Sequence, residues 1–130
     1  MLGRANYPVG YIEAVHARVS RVLKAFDKAK PVEPFATDAL LDVVLGLEMA
    51  FVHRLRGQEG KDGNPLNELR MIAMSVLEFG GVMTGDKTIK WTPEKSVTGL
   101  RIGDKIVLGR KQVGALLDAV IEEVAKKFGG

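Results

Sequence analysis

Between residues 37 and 56 a helix would be apolar on nearly every face. Leu40, Val44, Leu47 and Phe51 recur at helical spacing, while Leu41, Val43, Leu45, Met49 and Val52 fill most of the remaining circumference. A helix of this kind is stable only when covered on several sides. It therefore reads as the centre of a helical domain or as part of an oligomer interface. Asp42, Gly46 and Glu48 interrupt the run, leaving it too short and too polar to span a bilayer. Thr37 reads as its N-cap and Asp38 as a first-turn acid.

Three other segments have the pattern needed to cover it. Over 8–28, Ile12, Val15, Val19, Val22, Leu23 and Phe26 make one stripe, with Arg21, Lys24 and Lys28 on the opposite face. Asn64-Pro65 opens a helix that runs to Gly80-Gly81, with Asn as N-cap and Pro at the first helical position. Residues 110–128 carry Val113, Leu116, Leu117, Val120 and Val124 on one face. Residues 82–108 change period. "TGDK" and "IGDK" put Gly-Asp where a two-residue hairpin loop sits, and "KTIKW" and "KIVL" have strand character. The expected fold is α+β and mostly helical: four main helices, with a small antiparallel β-hairpin region between the third and fourth. A chain of 130 residues is expected to form a single domain over 1–130.

The chain contains no cysteine, which removes disulfides, thiol catalysis and thiolate metal ligands. With no apolar signal-peptide core at the N-terminus, a cytoplasmic protein with no membrane partner is expected. The net charge of +3 is unevenly spread: residues 1–30 hold six basic and two acidic groups, residues 31–52 four acidic and no basic ones, and residues 85–112 seven basic and three acidic.

The polar stretch "HRLRGQEGKDGNPLNELR", His53 to Arg70, lies between two apolar helices. Its functional reading is an anion or partner site built from His53, Arg54, Arg56, Lys61, Asn64 and Arg70. Glycines at 57, 60 and 63 let backbone amides approach a ligand, and a helix N-terminus adds its dipole. Its plain reading is a solvated corner in which Glu59, Asp62 and Glu68 pair the cations. The alternative is nucleic-acid binding through Arg21, Lys24 and Lys28 of the first helix and Lys90 of the β-region, with Trp91 as a stacking platform. Against it, the helical connections are too long and irregular for a helix-turn-helix. A third reading is a small enzyme using desolvated carboxylates at Asp42 and Glu48.

No catalytic residue, metal or cofactor is assigned. His16 follows Glu13 in a single Glu-x-x-His, and Glu48 to His53 has the wrong spacing for a di-metal bundle. Ser75 lacks a nucleophile-elbow setting. The leading expectation is a non-enzymatic binding or assembly protein, homodimeric or larger, with an anion or partner site at 53–70.

Overall fold

The computed structural model describes residues 6–130. The described chain forms α1 (Val9–Ala29), α2 (Phe35–Ala50), the short α3 (Val52–Leu55), α4 (Pro65–Glu78) and α5 (Arg110–Phe128), with one 3-10 turn at Pro93–Lys95. Four helices are long; α4 starts at the Asn64-Pro65 cap, and α5 spans the expected 110–128. Antiparallel packing of α1 on α5 is tied at both ends. Asp27 meets Arg110 at 2.9 Å at one end. At the other, the Tyr7 N–H donates to the Phe128 carbonyl and the Gly130 N–H to the Tyr7 carbonyl. α5 also packs on α4, and α2 touches α1, α4 and α5. Leu23, Val44, Leu66, Leu69, Ile72, Leu116 and Val120 are all but inaccessible to water and form one apolar cluster with their neighbours. No helix among the described residues is long and apolar enough to cross a membrane.

The α2 segment departs from its expected course at both ends. It starts at Phe35, so Thr37 is inside the helix and not its N-cap. Glu33 does the capping: its carboxylate accepts the Thr37 N–H at 2.8 Å and also binds the Thr37 hydroxyl. The single helix expected over 37–56 breaks at Phe51, where φ is −123° and ψ −70°, before α3 resumes. Two tyrosines hold the break. The Tyr11 hydroxyl donates to the Ala50 carbonyl and the Tyr7 hydroxyl to the Phe51 carbonyl, both at 2.6 Å. In an unbroken helix those carbonyls would accept the N–H groups of Arg54 and Leu55. The three rings also pack together: Tyr7 stacks on Tyr11 with centroids 5.2 Å apart, and both meet Phe51 edge-on.

The expected β-hairpin region is absent, and the fold is helical, not α+β. Among the described residues, β-type pairing is limited to two isolated bridges, Tyr7 with Gly129 and Val82 with Lys105. A ladder needs a run of free backbone donors and acceptors on alternate residues. Here side chains take the donors of Thr88, in one expected strand, and of Val97, Thr98 and Arg101 in the connection between the two. The Asp86 carboxylate accepts from the Thr88 N–H, Asp104 from the Arg101 N–H, and Glu68 from the N–H groups of Val97 and Thr98. Gly103-Asp104 does form a turn, but it docks on Met83, which bonds both the Asp104 carbonyl and the Gly103 N–H. Ile89, Ile106 and Leu108 of the expected strands, and Leu100 between them, enter the core as separate plugs.

Candidate functional site

Asn64 sets the geometry of the polar corner. Its side-chain oxygen accepts the N–H groups of Leu66 and Asn67, as an N-cap does, while its amide donates to the Glu59 carbonyl and to Asp62. This hydrogen bond also holds the Asp62 carboxyl below its usual range. Pro65 has no N–H, and the Glu68 N–H goes to the Asn64 carbonyl. The start of α4 is therefore satisfied from within the turn. Asn67, fully buried, ties the loop from inside: its oxygen accepts the Gly63 N–H and its amide donates to the Gly60 carbonyl. Glu68, also buried, holds the 97–98 backbone. Gly63 adopts φ +86°, and a Cβ there would collide with the Lys90 carbonyl oxygen.

Beside this corner lies a cleft of about 770 Å³ between the α2–α3 junction, the 56–61 loop, α4 and residues 86–89. Val52, Ala73, Met74, Leu77 and Ile89 make its apolar lining. Around them stand Glu48, His53, Arg56, Glu59, Lys61, Arg70, Glu78 and Asp86. Arg70 bonds Glu59 Oε2 at 3.2 Å, and the Glu59 side chain is 1% exposed. Glu59 Oε1 is buried without a hydrogen-bond partner. Glu48 Oε2 lies 3.9 Å from His53 Nδ1, too far for a hydrogen bond. Burial pushes the Glu48 carboxyl up; His53 and Arg70 oppose that shift, and the nearby Glu59 adds to it. Hydrogen bonds from Thr88 hold Asp86 below its usual range, helped by Arg70 and Lys61.

Of the six corner residues picked out by sequence, His53, Arg56, Lys61 and Arg70 line this cleft. Arg54 is exposed outside it, and Asn64 is inside the turn. Arg56 closes α3 in a left-handed conformation, φ 54°. Sequence reasoning paired Glu59, Asp62 and Glu68 with the cations, but only Glu59 forms such a pair. It missed Asp86 and Ile89, which the tertiary fold brings in from beyond α4. Met74, Leu77 and Glu78 were legible, since they share the α4 face with Arg70 at spacings of four, seven and eight.

The other candidates are placed apart from this cleft. Arg21, Lys24 and Lys28 are exposed on α1, whereas the Lys90 N–H is bonded to the Lys61 carbonyl. Trp91 is half-buried against the core and donates its indole N–H to the Leu100 carbonyl at 3.0 Å. Asp42 is exposed in a shallow groove of about 300 Å³ between α1 and α2, with Val22, Phe35 and Val43. Ser75 is buried, and its hydroxyl accepts the Thr84 N–H. Among the described residues no three His, Asp or Glu side chains cluster to hold a metal ion. No family model, curated protein or solved structure matches the chain significantly.

Proposed function

We propose that this is a binding protein, cytoplasmic and non-enzymatic, whose ligand seats in the cleft beside the 53–70 corner. The observation that carries the reading is convergence. Residues from α2, α3, the 56–61 loop, α4 and the 86–89 segment bring both signs of charge to one apolar lining. Pockets that combine an apolar body with a few placed polar groups are the usual form of small-ligand sites. The corner supplies the rigidity such a site needs, because Asn64, Asn67 and Glu68 hold its loops by hydrogen bonds. The test is a panel of small charged probes, with phosphate and alkylammonium ions among them, followed by amide chemical shifts. Binding shifts signals of residues 48–61 and 86–89 together, and Met74→Trp, which fills the lining, abolishes the shifts. A panel that leaves those signals unmoved rejects the cleft as a site.

Self-association is a second part of the proposal, and a separate surface supports it. Phe35 and Met49 are 65% and 56% exposed on the outward side of α2, and Val22 is 44% exposed across the groove on α1. Apolar side chains grouped this way are typical of protein contacts.

A further inference from the structure

We propose that the cleft takes a ligand carrying an ammonium or guanidinium group, which seats between Glu48 and Glu59 with its apolar part on Met74 and Leu77. The inference rests on the cleft being the binding site and adds the class of ligand.

Three observations lead to a cation. The first is the balance of charge. Four carboxylates face the cleft, Glu48, Glu59, Glu78 and Asp86, against three permanent cations, Arg56, Lys61 and Arg70. At the inner wall the imbalance is sharper. Glu48 and Glu59 lie close enough to repel one another, and among the described residues Arg70 is the one permanent cation acting on Glu48. Arg70 in turn spends its hydrogen bond on Glu59 Oε2.

The second observation is the unsatisfied acceptor. Glu59 is 2% exposed, and its Oε1 has no donor. A buried carboxylate oxygen without a donor is unfavourable, and a charged N–H group is its strongest partner. Glu48, 14% exposed on its side chain and without a hydrogen bond from His53, presents a second acceptor in the same cleft. An ammonium or guanidinium carries several donors in a small volume, which suits two carboxylates on one wall.

The third observation concerns the features that suggested an anion. Lys61 and Arg70 already act on Asp86, and Arg70 is paired with Glu59. The N–H groups at the start of α4 are bonded within the turn. An anion would have to compete with each of these contacts, whereas a cation can bond Glu59 Oε1 while Arg70 keeps Oε2.

The experiment is a titration of the full chain with n-butylammonium chloride at low ionic strength, followed by amide chemical shifts. Inorganic phosphate and butyrate serve as opposing arms, and sodium chloride as the ionic-strength control. Saturable shifts at residues 48–61 and 73–89 are expected with butylammonium. Glu48→Gln, which keeps shape and removes charge, weakens that binding about tenfold, the size of one charge-assisted contact in a partly desolvated site. Glu48 is the deciding position because Glu59→Gln also removes the partner of Arg70. If phosphate or butyrate shifts these signals and butylammonium does not, the cleft stands as the site and the cation is rejected. Equal affinity of Glu48→Gln and the parent chain also rejects it. If no probe shifts these signals, the cleft and the cation fall together.

Discussion

Glu68 is buried without an ion pair, and its carboxylate accepts the Val97 N–H, the Thr98 N–H and the Thr98 hydroxyl at 2.6–2.9 Å. It also sits in the first turn of α4, where the helix dipole favours negative charge. Removing it strands two backbone donors. Glu68→Ala is expected to lower stability by about 3 kcal/mol and Glu68→Gln by about half of that, read from urea denaturation midpoints. Gly63 makes the complementary case. Its positive φ and the Lys90 carbonyl both exclude a side chain. Gly63→Ala is expected to cost roughly 2 kcal/mol or more by the same measurement. Glu48 contributes a pH dependence of the opposite sense to most carboxylates. Its folded pKa is raised from 4.5, chiefly by burial, so the folded state holds the proton more tightly than the unfolded chain. This contribution to stability is complete in acid and is lost as pH rises through the ordinary carboxylate range and then the raised folded value. Glu48→Gln is therefore expected to be more stable than the parent at neutral pH, with the difference closing below the ordinary range. Paired denaturation curves across pH check this, and a difference that grew towards acid would reverse the assignment.

At the scale of elements, the break between α2 and α3 decides where His53 and Arg56 point. Ala50 and Phe51 lie inside the expected 37–56 helix, and nothing in their own types stops one. At the break, hydroxyls from more than thirty residues away donate to both carbonyls, Tyr11 to Ala50 and Tyr7 to Phe51, which also accepts the Arg54 N–H. Tyr11→Phe and Tyr7→Phe are each expected to lower stability by about 1–2 kcal/mol. Larger shifts should appear in the amide spectra of residues 50–56 than elsewhere, because the Ala50 carbonyl is freed and the Phe51 carbonyl keeps only the Arg54 N–H. Uniform small shifts would mean that the rings, not the hydroxyls, set the break. The 82–109 segment makes the same point in reverse. Gly103-Asp104 does turn the chain, but Glu68, Asp86 and Asp104 capture the backbone donors of Val97, Thr88 and Arg101. Local strand character lost to side-chain acceptors, Asp86 and Asp104 from the segment itself and Glu68 from α4.

For the whole molecule, α2 is less enclosed than its composition requires. Leu40, Val44 and Leu47 are buried, but Phe35, Asp42, Gly46 and Met49 follow one another along an outward face. The proposed self-association follows from that face, with two-fold dimers the commonest arrangement. Light scattering at micromolar concentration is expected to give a mass above the 14.1 kDa of one chain, and Phe35→Asp is expected to shift it towards the monomer. A parent chain that runs as a monomer removes this part of the proposal and leaves the cleft untouched.

Helix positions were legible in the sequence wherever the cause is local. The Asn64-Pro65 start of α4, the Arg110–Phe128 span of α5 and the core stripe of α1, except for Val22, which is exposed, need only capping chemistry and a 3.6-residue period. His53, Arg56, Lys61 and Arg70 were legible as a group because they flank one glycine-rich turn. Only the tertiary structure decided that Arg70 belongs to Glu59, that Glu68 serves the 97–98 backbone, and that Asp86 and Ile89 complete the cleft. The reason is physical. Which acceptor captures a donor depends on distances between segments far apart in the chain, and those distances exist only once the apolar faces have packed.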